Sequence, residues 1–384
     1  MIEISDSKYS RFELISWWKQ EILSDAHVLV IGGGALGNEI VKNLAMTGVG
    51  HIYIVDMDKV ELSNLSRSVL FRKSDLNKPK AEAISLRAKE INDDISVKYF
   101  DDAVQRLGLG IFGKMDIVIC GLDNREARMY VNQCCRKISK VWIDGAIEEL
   151  SGIARMFSWE DDSPCYECTL SEVDYKIINK RKSCMMLGLN DIYEGKIPTT
   201  PTISSIIAGI EVQEALKFLH NKDNPSLLKG RAFVFQGNIN DSYIIDYQKR
   251  DDCIAHYNFG EIINAPQTFN EATLNDVHDF GKKYFGEENF VIEFNNEIVY
   301  QTDGETFFRD LSLLTEGEMR SDKGLRNVKS FHNLSVNSDL FNYLRHFKLK
   351  DIAVPLNDIL TIKCKDKRVH VQFGYDDIFK SAEN

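Results

Sequence analysis

The sequence lacks any long hydrophobic run. No stretch of its 384 residues approaches the roughly 18–20 consecutive apolar residues of a membrane-spanning helix. The amino-terminal stretch MIEISDSKYSRFELISWW also lacks the basic region and continuous apolar run of an export signal. We therefore expect a cytoplasmic protein with no membrane partner.

An excess of basic residues is also missing. Lysine and arginine total 47 against 58 aspartates and glutamates, which gives a net charge of -11 and a pI near 5.3. This balance opposes nonspecific attraction to a nucleic-acid backbone, so no nucleic-acid partner is expected, and it favours a partner with a basic face. The hydrophobic fraction of 43% is that of an ordinary globular protein, and the length suits two domains.

The amino-terminal half alternates apolar strands with amphipathic helices. HVLVIGGG reads as a buried strand that enters a glycine turn, and NEIVKNLAMTGV follows with helical spacing. HIYIVD, VKYF and MDIVICGLDN have the composition of further strands, with the helix AEAISLRAKEIND between the first two. This order predicts an α/β fold with a Rossmann-like, doubly wound sheet.

The pattern changes after Trp142. As far as about Tyr247, four strands (KVWIDGAI, GIARMFSW, AFVFQG and SYIIDY) and the helix ISSIIAGIEVQEALKFLH complete the same domain and make its sheet mixed. Beyond about Pro266 the sequence predicts a helix, TLNDVHDFGKKYF, and two hairpins, NFVIEFNNEIVY and LTIKCKDKRVHVQF. We therefore expect a large first domain of residues 1–264 and a smaller α+β C-terminal domain of residues 265–384.

A glycine motif occupies the first strand-to-helix turn. Gly32, Gly34 and Gly37 form GxGxxG, in which small residues let backbone amides approach an anionic phosphate. Asp56 ends the next strand, from which a carboxylate can accept hydrogen bonds from ribose hydroxyls. On these residues alone, a nicotinamide-dependent oxidoreductase fits as well as any other nucleotide-binding protein.

Residues that suit phosphate chemistry follow the acid. Asn64 and Arg67 lie in SNLSR, and Lys80 lies in KPKAE. Hydride transfer has no evident need for these groups, whereas nucleotidyl transfer needs groups that stabilise negative charge on phosphates. Asp123, after the strand in VICGLDN, is placed to hold Mg²⁺ against the triphosphate of ATP. The structural alternatives are a turn cap for Asn64, a surface cation for Arg67 and a helix cap for Asp123.

Two short-spaced pairs of soft ligands occur in the chain, which has eight cysteines. Cys165 and Cys168 form CxxC, and Cys253 and His256 form CxxH much later in the sequence. In a reducing compartment such pairs predict a structural zinc site rather than disulfides. The alternatives are two unrelated cysteine-bearing loops or a redox-active CxxC pair.

Cys184 has no CxxC partner and follows Lys180, Arg181 and Lys182. Neighbouring cations favour a thiolate, so this cysteine is a candidate nucleophile. The alternative is an unreactive linker thiol beside a solvated run of charge. The remaining cysteines lie in strand or helix patterns and are expected to be packed or unreactive: Cys120, Cys134, Cys135 and Cys364.

The segments IGGGALGNEIVKNLAMTGVGHIYIVDMDKVELSNLSRSVLF, KPKAE and VICGLDNREAR resemble the adenylation domain of the ubiquitin-activating enzyme superfamily. The resemblance covers roughly residues 8–257, and the superfamily includes the sulfur-carrier adenylyltransferases of thiamine and molybdopterin synthesis. It implies acyl-adenylate chemistry with ATP and Mg²⁺. By this resemblance Asp56 would hold the ribose, Asn64, Arg67 and Lys80 the phosphates, and Asp123 the magnesium.

The same resemblance extends to three further features. Arg11 in KYSRFE matches an arginine that reaches the γ-phosphate of the opposite protomer, which implies a dimer, most simply a homodimer. The residues ECTL resemble the catalytic subunits that carry a thioester cysteine a short distance later, here Cys184 in a crossover segment of about residues 169–200. His256 departs from the four cysteines that are usual in the zinc site of this family.

The resemblance implies that a ubiquitin-like protein is adenylated at its C-terminus, captured as a thioester and passed to a conjugating enzyme, with the C-terminal domain as the binding unit. One alternative is a sulfur-carrier adenylyltransferase without a thioester step. Another is a noncatalytic partner subunit. The compact chain also resembles the activating enzymes of bacterial ubiquitin-like conjugation systems associated with phage defence.

Overall fold

A computed structural model describes residues 7–176, 198–301, 306–321, 324–325 and 328–381. Cys184 and most of the predicted crossover segment lie outside these residues. Within them, no helix is both long enough and apolar enough to cross a bilayer.

Helices flank two β-sheets in the described residues. Their bounds are α1 (Gln20–Asp25), α2 (Ala35–Met46), α3 (Lys80–Ile91), α4 (Leu109–Lys114), α5 (Arg125–Lys137), α6 (Pro201–His220), α7 (Leu274–Phe285), α8 (Glu316–Met319) and α9 (Asp339–Leu344).

The strands divide between a large first sheet, a second sheet and a separate pair of two-residue strands, Arg320–Ser321 and Gly324–Leu325. Their bounds are β1 (His27–Ile31), β2 (His51–Val55), β3 (Ser96–Phe100), β4 (Ile117–Cys120), β5 (Trp142–Glu148), β6 (Ser151–Phe157), β7 (Arg231–Gln236), β8 (Asp241–Asp246), β9 (Ile262–Thr268), β10 (Val291–Gln301), β11 (Phe307–Asp310), β12 (Arg320–Ser321), β13 (Gly324–Leu325), β14 (Lys329–Ser335), β15 (Ile359–Cys364), β16 (Lys367–Gly374) and β17 (Lys380–Ser381).

The first sheet has the order β17-β3-β2-β1-β4-β5-β6-β7-β8. Strands β3, β2, β1, β4 and β5 are parallel, and the sheet continues as antiparallel pairs from β5 to β8. The central strand β4 (IVIC) is buried along its whole length, as expected for a parallel strand covered on both faces. The predicted Rossmann-like mixed sheet is therefore confirmed.

Hydrophobic side chains fill both faces of this sheet. Helices α2, α3 and α6 contribute to the core on one face, and α4 and α5 contribute to the core on the other. The second face also receives Ile359 and Phe379 from the C-terminal part of the chain.

The second sheet has the order β11-β10-β15-β16-β9, with β14 also paired to β10. The predicted helix is α7, and the predicted hairpin LTIKCKDKRVHVQF is the β15–β16 pair. The predicted hairpin NFVIEFNNEIVY is wrong, because these residues form the single long strand β10 with an irregularity between Glu293 and Ile298. The Asn-Asn pair makes long-range contacts instead of a turn, since Asn295 donates to Asp358 at 2.8 Å and Asn296 donates to Asp310.

The C-terminal part of the chain is joined closely to the first sheet. The amide of Gly108 donates to the carbonyl of Leu356 at 2.7 Å, and the Lys137 ammonium donates to Asn295 at 2.7 Å. Strand β17 pairs with β3 of the first sheet. Strand β9, which pairs with β16 in the second sheet, contains residue 264, the predicted domain boundary. The division into residues 1–264 and 265–384 stays a prediction.

Candidate functional site

The glycine loop joins β1 to α2 in a conformation that requires glycine. Gly32 has a φ of +94°, and a Cβ added to it would lie 2.6 Å from the carbonyl oxygen of Gly121. A Cβ on Gly37 would lie only 1.8 Å from the carbonyl oxygen of Gly32. By contrast, no atom lies within 4 Å of a Cβ built on Gly34, so the loop is open at this residue. The space in front of the first turn of α2 is therefore open.

Asn38 holds the loop in this conformation, and the sequence analysis missed it. Its amide nitrogen donates to the carbonyls of Gly33 and Gly34, both at 2.9 Å, and its oxygen accepts from the amide of Leu70 at 2.9 Å. The side chain is fully buried. The available signal was a polar residue directly after the last motif glycine, at the start of a helix whose buried residues are mainly apolar.

Replacing Gly37 by alanine is expected to destabilise the fold by about 1–3 kcal/mol, because the new methyl group has no space beside a backbone oxygen. Gly34→Ala is the matched control, since its methyl group meets no atom within 4 Å and its φ of -73° suits any residue. Urea unfolding monitored by circular dichroism should separate the two variants. Equal stability of both would contradict this packing.

Asp56 follows β2 and faces the glycine loop. Its carboxylate accepts from the amide of Gly33 at 2.6 Å and from the amide of Asp58 at 2.7 Å. Burial raises the pKa of Asp56, although Lys80 and the two amides act in the opposite direction. The carboxylate is thus fixed beside the loop at the position predicted for a ribose ligand.

Lys80 begins α3 and points back toward the same region. Its ammonium lies 2.8 Å from the carboxylate of Asp58, a residue that the sequence analysis did not single out. Burial alone lowers the pKa of Lys80, but Asp56 and Asp58 raise it more, and Asp123 adds to the rise. Lys80 therefore remains a cation, and Asp56 and Asp123 both act on its charge.

Asn64 and Arg67 lie in the turn between β2 and α3. The Asn64 oxygen accepts from the amide of Glu61 at 2.9 Å, so Asn64 does cap this turn, and its amide nitrogen is the part of the side chain that can donate to a ligand. One guanidinium nitrogen of Arg67 donates to the carbonyl of Ser63 at 2.8 Å. Local hydrogen bonds thus fix both side chains.

Asp123 lies in the loop after β4, and its side chain is exposed. The cap of α5 is Asn124, whose oxygen accepts from the amide of Ala127 at 2.7 Å. Asp123 is therefore not needed as the helix cap. A carboxylate at this edge of the sheet, within electrostatic range of Lys80, has the chemistry of a magnesium ligand.

A buried ionic cluster supports the Asp123 loop, and the sequence analysis missed it. Arg128 donates to the carbonyl of Leu122 at 2.5 Å and to that of Gly145 at 3.0 Å. Its Nε also donates to Asp144 at 2.7 Å, and Arg155 pairs with the same carboxylate. No sequence spacing links these residues, since β5 and β6 supply Asp144 and Arg155.

Arg11 lies at the opposite end of α2 from the glycine loop of its own chain. The nearby Tyr9 ring is held against Gly48, which follows the last turn of α2. This helix has 12 residues and is therefore about 18 Å long. The Arg11 side chain is exposed and lies outside the site formed by Asp56, Lys80 and Asp123 of its own chain.

The two predicted metal-ligand pairs converge on one cluster. The sulfur of Cys165 lies 3.8 Å from that of Cys168 and 3.7 Å from that of Cys253, and His256 Nε2 lies 3.0 Å from Cys168. The four ligand atoms all lie within 4.8 Å of one another. The hydrogen bond from Cys165 lowers the pKa of Cys168, so this site readily holds a thiolate. The Nδ1 atom of His256 is buried without a hydrogen-bond partner among the described residues.

The described cysteines outside this cluster are packed, as the sequence analysis expected. Those expected to be packed are all buried: Cys120, Cys134, Cys135 and Cys364. Cys184, the candidate nucleophile, lies outside the described residues.

A family model described as the ThiF family matches residues 6–254. This match covers more than half of the 384 residues and includes every residue predicted to bind the nucleotide. The chain belongs to the ThiF family.

Similar proteins include activating enzymes. The chain is 35% identical to the SUMO-activating enzyme subunit uba-2 of Caenorhabditis elegans over 39% of its own length and 26% of that protein. It is 28% identical to the SAMP-activating enzyme E1 of Haloferax volcanii over 60% of its length and 80% of that protein. The crystal structure of E. coli MccB with ATP has a TM-score of 0.54 and 23% identity, covers 66% of this chain and 76% of that one, and shows the shared fold.

Proposed function

We propose that the chain activates a ubiquitin-like protein by adenylating its C-terminal carboxylate with ATP and then captures it as a thioester. The observation that carries this proposal is the convergence of Asp56, Lys80 and Asp123 beside the open glycine loop. Hydride transfer gives no reason for a partly buried cation, Lys80, and an exposed carboxylate, Asp123, at this place. The names of similar proteins support the same chemistry.

The first step joins an acyl group to AMP. A carboxylate oxygen of the substrate attacks the α-phosphorus of ATP, the bond between the α- and β-phosphates breaks, and pyrophosphate leaves. Asp56 would hold the ribose while Lys80, Arg67 and the amide nitrogen of Asn64 stabilise charge on the phosphates. Such fixed groups contribute most of the catalysis when no protein nucleophile takes part.

Asp123 would hold Mg²⁺, which offsets negative charge on the phosphates when it is bound. Two features suit this residue to the role. Its carboxylate is exposed, and Arg128 fixes the loop through the neighbouring Leu122 carbonyl. A bound cation would also relieve the crowding of Asp56, Asp58 and Asp123 around the single charge of Lys80.

The second step would use Cys184 as the nucleophile. Its thiolate attacks the acyl carbon, the bond to AMP breaks, and AMP leaves. Lys180, Arg181 and Lys182 precede this cysteine and would favour the thiolate form.

Arg11 would act on the γ-phosphate bound by a second copy of the chain. Its position at the far end of α2 supports action between chains rather than within one. Exposed apolar side chains close to Arg11 in sequence, Leu14 (51% exposed) and Trp17 (49%), suit burial against another protein surface. We therefore propose a homodimer.

The cluster of Cys165, Cys168, Cys253 and His256 would bind a structural Zn²⁺. A tetrahedral site with zinc–sulfur bonds of about 2.3 Å has sulfur atoms about 3.8 Å apart. The sulfur–sulfur distances from Cys165 to Cys168 and to Cys253, 3.8 and 3.7 Å, suit that arrangement. All four ligands come from two loops, so bound metal would tie these loops together.

The C-terminal part of the chain would bind the conjugating enzyme that receives the thioester. Its second sheet contributes no residue to the nucleotide site or to the cysteine cluster. Its close junction with the first sheet would keep a bound partner at a fixed distance from the adenylation site.

A nonreducing gel tests the two steps together. The native chain is mixed with Mg·ATP and a panel of ubiquitin-like proteins, namely NEDD8, SUMO and SAMP. We expect a thiol-sensitive adduct with the native chain and no adduct with Cys184→Ala. Because adenylation precedes the thiolate attack, the variant should retain full ATP–pyrophosphate exchange. Cys364→Ala is the matched control and should form the adduct.

The sulfur-carrier alternative gives a different result. It is supported by the similarity to a probable molybdopterin-synthase adenylyltransferase of Porphyra purpurea, 29% identical over 52% of this chain. Exchange without an adduct, in both the native chain and the variant, would favour that alternative. Loss of exchange on replacing Cys184 would contradict its assignment to the second step.

A further inference from the structure

The segment that carries Arg11 is anchored by its neighbours on both sides. The Lys8 ammonium lies 2.7 Å from Asp94 and 3.3 Å from Asp93, and it donates to the oxygen of Asn92 at 3.0 Å. These three partners follow the last residue of α3. Although 45% of the Lys8 side chain is exposed, three groups from one loop hold its ammonium.

Tyr9 adds a second anchor at the same place. Its hydroxyl oxygen accepts from the Asn92 amide nitrogen at 2.6 Å, and the same nitrogen donates to the carbonyl of Ala45 at 2.8 Å. Asn92 is only 3% exposed. Gly48 lies so close that a Cβ there would be 2.6 Å from the Tyr9 hydroxyl. The ends of α2 and α3 thus bind the aromatic side chain together.

A short turn then presents Arg11. The carbonyl of Tyr9 accepts from the amide of Phe12 at 2.8 Å, and the Phe12 ring lies 4.8 Å from the ring of Trp18. Arg11 stands between two packed aromatic residues, and its own side chain is exposed. The backbone around Arg11 is therefore restrained, while its guanidinium is exposed to solvent.

We propose that Lys8, Tyr9 and Asn92 act as a positioning latch that fixes Arg11 for contact with the γ-phosphate held by a second copy. This inference rests on the proposed trans role of Arg11. The advantage is entropic, because the segment that carries Arg11 must be ordered before the guanidinium can bind a distant phosphate at low cost. The latch supplies that order within each chain, before the second copy binds ATP.

Calorimetric titration with Mg·ATP and Mg·ADP gives a readout specific to the γ-phosphate. Arg11→Ala is expected to weaken ATP binding by about tenfold or more, because it removes a hydrogen bond between charged groups. ADP binding should be unchanged, because ADP has no γ-phosphate. The double variant Lys8→Ala, Tyr9→Phe should weaken ATP binding about three- to tenfold, again without affecting ADP. Adding Arg11→Ala to this double variant should give no loss beyond that of Arg11→Ala alone. Lys19→Ala, an exposed lysine of the same segment, is the matched control.

Each other outcome overturns the inference in a distinguishable way. Native ATP affinity in the latch variant, beside weakened binding in Arg11→Ala, would show that Arg11 needs no latch. Equal weakening of ATP and ADP would show an effect on the fold alone. Additive losses, or a latch variant that sediments as a monomer where the native chain is a dimer, would also reject it. Unchanged ATP binding in Arg11→Ala would remove the trans role itself while leaving adenylation intact.

Discussion

Replacing Asp123 by asparagine is expected to reduce ATP–pyrophosphate exchange by about 10²- to 10³-fold, the loss typical of one preorganised electrostatic group. Asparagine keeps the shape of the side chain and removes the charge that would hold Mg²⁺. The Asn124 oxygen caps α5, and its amide nitrogen donates to Asp123 Oδ1 at 3.4 Å, a bond that the oxygen of an introduced asparagine can also accept. The Arg128 contacts do not involve the Asp123 carboxylate, so the fold should be unaffected. Exchange with the panel proteins over a range of Mg²⁺ concentrations measures the effect.

The matched control is Asp162→Asn, an exposed aspartate that lies outside the glycine loop and its surroundings. It should retain native exchange. Loss of activity in Asp123→Asn should also be accompanied by a higher Mg²⁺ requirement. Native exchange and a native Mg²⁺ requirement in this variant would reject Asp123 as the metal ligand.

Replacing Cys168 by serine is expected to abolish zinc binding. The free energy of unfolding should then fall by about 4 kcal/mol, because a ligand present at 1,000 times its dissociation constant stabilises the folded state by that amount. For a domain of this size, that loss lowers the melting temperature by about 10 °C. Cys168 is central to the site, since it lies 3.8 Å from Cys165 and 3.0 Å from His256. Mass spectrometry of bound metal and calorimetric melting measure the two effects.

Cys364→Ser is the control for replacement of a buried cysteine. Cys364 donates to the carbonyl of Asn289, a bond that serine can also make, and it lies in the second sheet. This variant should retain one zinc per chain. A native chain that purifies without zinc and is not stabilised by added zinc would contradict the metal site.

The arrangement of the candidate nucleotide site was largely predictable because its parts are local. Strand, glycine turn and helix follow one another directly, and Asp56 ends the next strand, so parallel topology brings it to Gly33. The cysteine pairs were recognised from their short spacing. The ligand types alone predicted that the two pairs meet, because a tetrahedral zinc site needs four such ligands.

Other contacts carry no local signal. Asp58 and Lys80 meet because a turn folds back, and Arg128 reaches Asp144 because α5 lies against β5. The Asn-Asn pair at 295–296 has turn composition, yet it packs against Asp358 and Asp310 from distant segments. Long-range hydrogen bonds outweigh turn propensity in such cases.

Strand β17 shows the same limit. Lys380 and Ser381 have no strand pattern of their own, but they pair with Tyr99 and Lys98 at the edge of the first sheet. The packing of Phe379 against Tyr53 and the ion pair between Lys380 and Asp101 direct this pairing. Both anchors come from residues far away in the chain, so no local pattern predicts this pairing.

The most direct test of adenylation is ATP–pyrophosphate exchange by the native chain with the panel proteins, measured beside the same proteins without their last two residues. The proposal predicts exchange that requires an intact C-terminus, since the terminal carboxylate is the attacking group. Absence of exchange, together with tight binding of a nicotinamide dinucleotide and no binding of Mg·ATP, would contradict it.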